Sequence, residues 1–233
     1  MLSAEAVTKR YRPSGRHVVA LDRVSLELAG DARLGLVGRS GSGKSTLGQV
    51  LATLLEPDHG SVTIDGDRVP GWGVRAPREL RHRVQLVWQS PRMAVDPRMR
   101  LAAAIVEPLV ASGLLAKGGS AGAPIAASWA ERVGLTDDLL ERHPHEVSEG
   151  QLQRVCLARA LIVQPRYLIC DELTSMLDVS TQAALLEVIA GVQQERDLGV
   201  LLITHDRVLA GCWCHDTIEL GAPGAEAPVG VPS

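Results

Sequence analysis

Apolar and polar positions alternate from residue 17 to residue 30, with Val19, Leu21, Val24, Leu26 and Leu28 on or near one face. That period of two predicts a half-buried strand. A second strand is expected over 60–65, Gly-Ser-Val-Thr-Ile-Asp, closed by a turn at Gly66. Arg33–Val37 and Val84–Trp88 are further short strands, the latter broken by Ser90-Pro91. Apolar residues then recur at helical spacing over 99–110 and 126–142, and between them Lys117–Pro124 has the Gly, Ser and Pro content of a loop. Residues 149–163 pattern as an amphipathic helix ending before Pro165. Tyr167–Cys170 and Val200–Ile203 are continuous apolar runs, suited to strands buried on both faces of a parallel sheet, with a long helix over about 179–196 between them. Strand–helix–strand order predicts an α/β core. No internal repeat is present, and residues 219–233, rich in Gly, Ala and Pro, read as a disordered tail.

Composition narrows the class. A chain of 233 residues suffices for one large domain, or a core with a smaller lobe. Aromatic content is only 3% with no Phe, so the core must be built from Val, Leu, Ile and Ala. A net charge of −3 gives no bulk electrostatic case for nucleic acid. No apolar run reaches the roughly 18 residues needed to span a bilayer, and the N-terminus lacks a signal peptide's long apolar stretch. Any membrane role is therefore expected to come through a partner. Cys156, Cys170, Cys212 and Cys214 are too few and too irregular for a disulfide framework, which points to a reducing cytosol.

Two motifs carry chemistry. Residues 38–46 read Gly38-Arg39-Ser40-Gly41-Ser42-Gly43-Lys44-Ser45-Thr46, a complete phosphate-binding P-loop directly after the strand Arg33–Val37. Its glycines let the backbone turn tightly and aim N–H groups at phosphate oxygens. A helix starting next adds its positive dipole end. Lys44 is expected to reach the β- and γ-phosphates and the Ser45 hydroxyl to hold Mg²⁺. The second motif is Tyr167-Leu-Ile-Cys-Asp171-Glu172. An apolar strand ending in Asp puts that carboxylate at the carboxyl edge of the sheet, where Asp171 could bind Mg²⁺. Glu172 could then activate a water for in-line attack, which makes hydrolysis the natural chemistry.

Between these motifs, Val147-Ser148-Glu149-Gly150-Gln151 leading into Leu152–Ala160 resembles the signature motif and helix of ATP-binding-cassette (ABC) ATPases. Further likenesses follow in the family's order. Gln89 resembles the Q-loop glutamine, Ser175–Asp178 the D-loop, and Thr204-His205-Asp206 the switch histidine. Tyr11, in Lys9-Arg10-Tyr11, sits where the family stacks an aromatic on adenine. The resemblance covers about residues 3–218. It implies an α/β P-loop NTPase cassette over 1–218, with a parallel-sheet core, an N-terminal antiparallel β subdomain and an α-helical signature subdomain over about 90–163. It also implies a head-to-tail pair of cassettes with ATP in the interface. Ser148, Gly150 and Gln151 of one chain would then face the phosphates held by Lys44 of the other. Asp178 would link the two sites, His205 would contact the γ-phosphate, and Gln89 would sense Mg²⁺ and water. The sequence departs from the family pattern at Glu149, where a second Gly is usual, at Leu173 for Pro and at Met176 for Ala.

The segment Trp88–Pro108 and the run His143–Arg154 are similar to the dipeptide, oligopeptide and nickel importer ATPases. The resemblance implies a peripheral subunit on the cytoplasmic face of the inner membrane. Its partners would be a second ABC ATPase chain (a different one or a copy), two transmembrane permeases and, indirectly, an extracytoplasmic substrate-binding protein. Peptides, nickel and metal–chelator complexes stay open as cargo. A soluble ABC ATPase acting on DNA or ribosomes is the competing class, and the acidic balance and single cassette weigh against it. His143 and His145 read as structural, Cys212-Trp-Cys214-His215 as helix-end packing, and Arg75, Arg78, Arg81 and Arg83 as a solvated face.

Overall fold

The computed structural model describes residues 1–12, 18–116, 118–173 and 179–221. Its elements follow in the order β1 (Leu2–Tyr11), β2 (Val18–Leu28), β3 (Arg33–Val37), α1 (Lys44–Leu51), β4 (His59–Ile64), β5 (Asp67–Arg68), α2 (Arg78–Arg83), β6 (Val84–Val87), α3 (Leu101–Ala111), α4 (Gly122–Arg132), α5 (Asp137–Leu140), α6 (Glu149–Leu161), β7 (Tyr167–Asp171), α7 (Val179–Glu195), β8 (Gly199–Thr204), α8 (Arg207–Trp213) and β9 (Asp216–Glu219). The chain forms two compact units. One comprises Met1–Leu86, Arg166–Glu172 and the chain from Asp197 on; the other comprises Val87–Pro165 and Leu173–Arg196.

The first unit holds two sheets. An antiparallel sheet runs β2-β1-β4-β5, and a second sheet runs β6-β7-β8-β3-β9, in which β7, β8, β3 and β9 are parallel. Every residue of β7 and β8 is buried, as their unbroken apolar runs predict. Both sheets and α1 share one core, with Leu2, Leu26 and Ile64 from the first sheet, Leu36, Ile169 and Leu201 from the second, and Leu47, Val50 and Leu51 from the helix. Aliphatic side chains fill it, as the scarcity of aromatics requires. Tyr167 is the large exception: its ring is buried while its hydroxyl donates to Asp65 Oδ1 at 2.5 Å.

Strand β1 has no simple alternation because it carries a bulge. Ala6 adopts φ 46°, so the buried positions run Leu2, Ala4, then Val7. The same device at Arg23, φ 49°, moves the buried face of β2 from Leu21 to Val24. The register records both shifts, with Val7 opposite Val24 and Lys9 opposite Leu21. Leu220, after β9, is buried, and its N–H donates to Val37 O at 2.8 Å.

The second unit contains α3 to α7. The helix expected over 126–142 is divided: α4 ends at Arg132 and α5 covers only Asp137–Leu140. Gly134, at φ 71°, stops α4, with its N–H on Glu131 O and that of Leu135 on Ala130 O. Paired bonds of this kind around a left-handed glycine are a helix C-terminus, which apolar spacing alone does not reveal. At the other end α4 starts at Gly122, inside the segment expected to be loop through Pro124. Proline is tolerated in a helix's first turn, where its missing N–H has no intrahelical partner to lose.

Between β3 and α1 the chain turns through residues 38–43. Gly43 makes the turn at φ 98°, and a Cβ there would stand 2.2 Å from Ala20 O on β2. Gly43→Ala is therefore expected to lower stability by about 2 kcal/mol or more. In urea unfolding this appears as a lower midpoint with unchanged slope; an unchanged midpoint would show that the loop relaxes freely.

Candidate functional site

Three neighbouring strands, β7, β8 and β3, point their carboxyl ends the same way. Asp171 is in register with Ile203, and Thr204 with Val37. The P-loop, the Asp171-Glu172 pair and His205 therefore emerge side by side from one sheet edge, the edge at which open α/β sheets bind ligands.

The loop is built around its lysine. Lys44 is 5% exposed, and its Nζ donates to Gly38 O and Arg39 O, both at 2.9 Å. A Cβ at Gly38 would meet Leu220 O at 2.6 Å and Ser42 Oγ at 2.9 Å, so close backbone approach fixes that position. Helix α1 begins at Lys44 with no side-chain cap, so the first-turn N–H groups of the helix open onto the loop. The buried Ser42 Oγ has no hydrogen-bond partner among the described residues. A buried hydroxyl without an acceptor, an ammonium ion and a helix N-terminus together make a donor set suited to phosphate oxygens.

Ser45 Oγ, one residue into α1, donates to Asp171 Oδ1 at 3.0 Å. Asp171 is 3% exposed. Burial pushes its pKa up, opposed by the Ser45 hydrogen bond; the Glu172 charge adds to the rise and Lys44 counters it. A hydroxyl and a buried carboxylate on one side of a phosphate-suited loop are hard oxygen donors that fit Mg²⁺. Next in the chain, Glu172 adopts φ 47°, a left-handed conformation that costs a non-glycine residue roughly 1 kcal/mol or more. Its N–H is held by Ile203 O at 2.9 Å, which keeps the strained residue in place. Its Oε1 lies 3.7 Å from His205 Nδ1. His205 itself is exposed on the β8–α8 turn. Asp206 Oδ1 fixes that turn by accepting from the N–H groups of Val208 and Leu209 at 2.9 and 3.0 Å. Tyr11 closes β1 opposite Val18, partly exposed, two residues along β2 from the Ala20 carbonyl that crosses Gly43.

The second unit carries the remaining sequence candidates except Asp178, which lies outside the described residues together with the rest of Ser175–Asp178. Ser148 caps α6. Its Oγ accepts from Gln151 N–H at 3.2 Å, and Gln151 Oε1 accepts from Ser148 N–H at 2.9 Å. This reciprocal box is written in the sequence as Ser-x-x-Gln. The Ser148 hydroxyl keeps its own proton to donate. Gly150 lies between them in the first turn. Glu149 is turned to Arg92, whose Nε stands 3.2 Å from its Oε2. Gln89 is exposed just after Trp88, whose carbonyl accepts from the buried Gln153 Nε2 at 3.2 Å. Sequence reading did not find Arg92 or Gln153, because their partners lie 57 and 65 residues away.

The other motifs find ordinary structural partners. His143 N–H donates to Glu146 Oε2 at 2.6 Å. His215 Nδ1 accepts from Arg33 N–H at 3.2 Å. Arg75 and Arg83 pair with Glu56 and Asp67. Among the described residues no helix is long and apolar enough to cross a membrane.

The family profile of the ABC transporter domain matches residues 21–175. A Brucella abortus (strain 2308) protein named as a peptide import ATP-binding protein is 42% identical over 216 residues, which are 91% of this chain and 64% of that protein. The glutathione import ATP-binding protein GsiA of Escherichia coli (strain K12) is 40% identical over 192 residues, 82% of this chain and 30% of that protein. The chain thus spans less than two thirds of the length of these relatives. Among solved structures, a dimeric post-hydrolysis state of the ATP-binding cassette MJ0796 bound to ADP and Pi superposes with a TM-score of 0.84 at 25% identity, covering 99% of this chain and 100% of that one. A second dimeric structure of that bacterial ABC transporter cassette gives 0.85 at 26% identity, with the same coverage. With its parallel-sheet core, antiparallel sheet and P-loop, this chain belongs to the ABC transporter ATPase family.

Proposed function

We propose that the chain is the ATP-binding and ATP-hydrolysing subunit of an importer, docked on the cytoplasmic face of the inner membrane and powering uptake of peptides or peptide-like cargo. One observation carries this reading: Lys44, Ser45, Asp171, Glu172 and His205 emerge from adjacent strand ends in one unit, with Ser45 and Asp171 directly bonded. The relatives' names support peptide or glutathione as the cargo class. Nickel or metal–chelator cargo, expected from resemblance, has no such support.

On this reading Lys44 and the loop N–H groups bind the β- and γ-phosphates, and Tyr11 stacks on adenine. Ser45 and Asp171 would hold Mg²⁺. Bound there, Mg²⁺ would neutralise phosphate charge. Glu172 accepts a proton from the attacking water, and His205, beside it, holds the γ-phosphate and keeps that water in line. Ser148, Gly150 and Gln151 act in trans on the ATP of a facing cassette, with Asp178 linking the two sites. The dimeric form of the MJ0796 structures supports such a pairing. The partner cassette is a second ATPase chain, and two permeases receive the closing motion. The permeases in turn take cargo from an extracytoplasmic binding protein.

The experiment that tests this reading is a tagged pull-down from gently solubilised native membranes, with partners identified by mass spectrometry. Two multi-spanning permeases and a second ATPase are expected. Recovery from the soluble fraction with ribosomes or DNA would overturn the transport reading. In the complex so isolated, Glu172→Gln should retain ATP binding and reduce turnover by about 10²-fold or more; unchanged turnover removes Glu172 from its role. Ser148→Arg should leave ATP binding to the same chain intact and abolish turnover, because the added guanidinium blocks the trans contact. Full activity in that variant would exclude the trans contact.

A further inference from the structure

Residue Glu149 poses an electrostatic problem. It is the first residue of α6, between Ser148 and Gly150. A carboxylate there is favoured by the helix dipole and, left free, competes with any incoming anion for the first-turn N–H groups. The structure turns it away. Arg92 Nε donates to Glu149 Oε2 at 3.2 Å, and Arg92 Nη1 donates to Pro144 O at 3.3 Å.

Arg92 is held in place by α6 itself. Gln153 Nε2 donates to Trp88 O at 3.2 Å, Cys156 Sγ to Pro91 O at 3.7 Å, and Arg159 Nη1 to Ala94 O. Donors at every third residue of α6 thus meet carbonyls at every third residue of the segment 88–94. Gln153 and Cys156 are buried, and Arg159 is further braced by Glu107 at 2.6 Å. The segment lies fixed along the helix, which delivers Arg92 to the helix's first residue. An exposed ion pair on mobile side chains contributes little; this one has a rigid mount on its basic side.

We propose that Arg92 is a positioning residue for the signature end of α6. It neutralises Glu149 and holds that carboxylate aside, so that the Ser148 hydroxyl and the Gly150 N–H can donate to the terminal phosphate of ATP on a facing cassette. This is how the chain accommodates a glutamate where its family usually has glycine. The inference rests on the proposed trans contact of Ser148 and Gly150.

The test is a double-mutant cycle on ATP turnover in the membrane-isolated complex. Arg92→Gln should raise the KM for ATP about fivefold, the upper end for an exposed pair, with little change in kcat. In a Glu149→Gln background the same Arg92→Gln change should alter KM by less than about twofold, since no carboxylate remains to be neutralised. Raising the salt should shrink the effect in the Glu149 background, because screening weakens the repulsion. Equal KM increases in both backgrounds, insensitive to salt, would overturn the inference and leave Arg92 a structural tether. Ser148→Arg, run alongside, separates the two ideas. If it abolishes turnover while the Arg92 effects are equal, only the Arg92 inference fails. If it leaves turnover intact, the trans contact fails, and this inference fails with it.

Discussion

The Ser45 hydroxyl and the Asp171 carboxylate meet at 3.0 Å inside the first unit, and the candidate site is organised around that contact. It ties the first turn of α1 to the last residue of β7, residues 126 apart in sequence. A carboxylate that is 3% exposed is costly to keep charged, and burial accordingly pushes its pKa up. The hydroxyl and the nearby Lys44 counter that cost only in part. Such a pair is expensive as a structural feature and well suited to a hard cation, which would relieve the buried charge. The strained backbone of Glu172 follows from the same arrangement. The chain must leave β7 abruptly, and the bond from Glu172 N–H to Ile203 O holds it in a conformation that points the next carboxylate along the same sheet edge.

In the proposed reading the second unit meets a different demand, which is to present a helix start to an anion. Ser148 and Gln151 satisfy each other's backbone N–H groups, so α6 is capped without a ligand. Glu149, the departure from the family pattern, is absorbed by Arg92. In the proposed reading the first unit supplies the phosphate-binding loop, the metal ligands and the base, and the second supplies contacts to the nucleotide of a partner cassette. The bracing of segment 88–94 along α6 also joins the residue next to Gln89 to the signature helix through Gln153.

Much of this was legible in the sequence because the relevant signals are local. Gly38–Thr46 is contiguous, and its strand–loop–helix setting follows from the apolar run before it. Tyr167–Asp171 and Val200–Ile203 are unbroken apolar runs, and both proved buried at every position. Strand β1 was not legible, because the bulge at Ala6 breaks its alternation. The single helix expected over 126–142 failed at Gly134, where a left-handed residue ends α4 while apolar spacing continues past it. Within the candidate site, the residue types and their order could be read directly. The partner of Glu149 could not, since one arginine among many carries no mark of a carboxylate 57 residues away. Nor could the strain at Glu172, which depends on a β8 carbonyl, that of Ile203, accepting its N–H.

On the proposed reading the P-loop, Ser45 and Asp171 form one metal-dependent nucleotide site. Calorimetric titration of the purified chain with ATP, in Mg²⁺ and again in EDTA, tests it most directly. Binding is expected to be at least about tenfold tighter with Mg²⁺, with that advantage lost in Asp171→Asn, because two of the proposed metal ligands are built into the site. Equal affinity in Mg²⁺ and EDTA, or an advantage that survives Asp171→Asn, would contradict it.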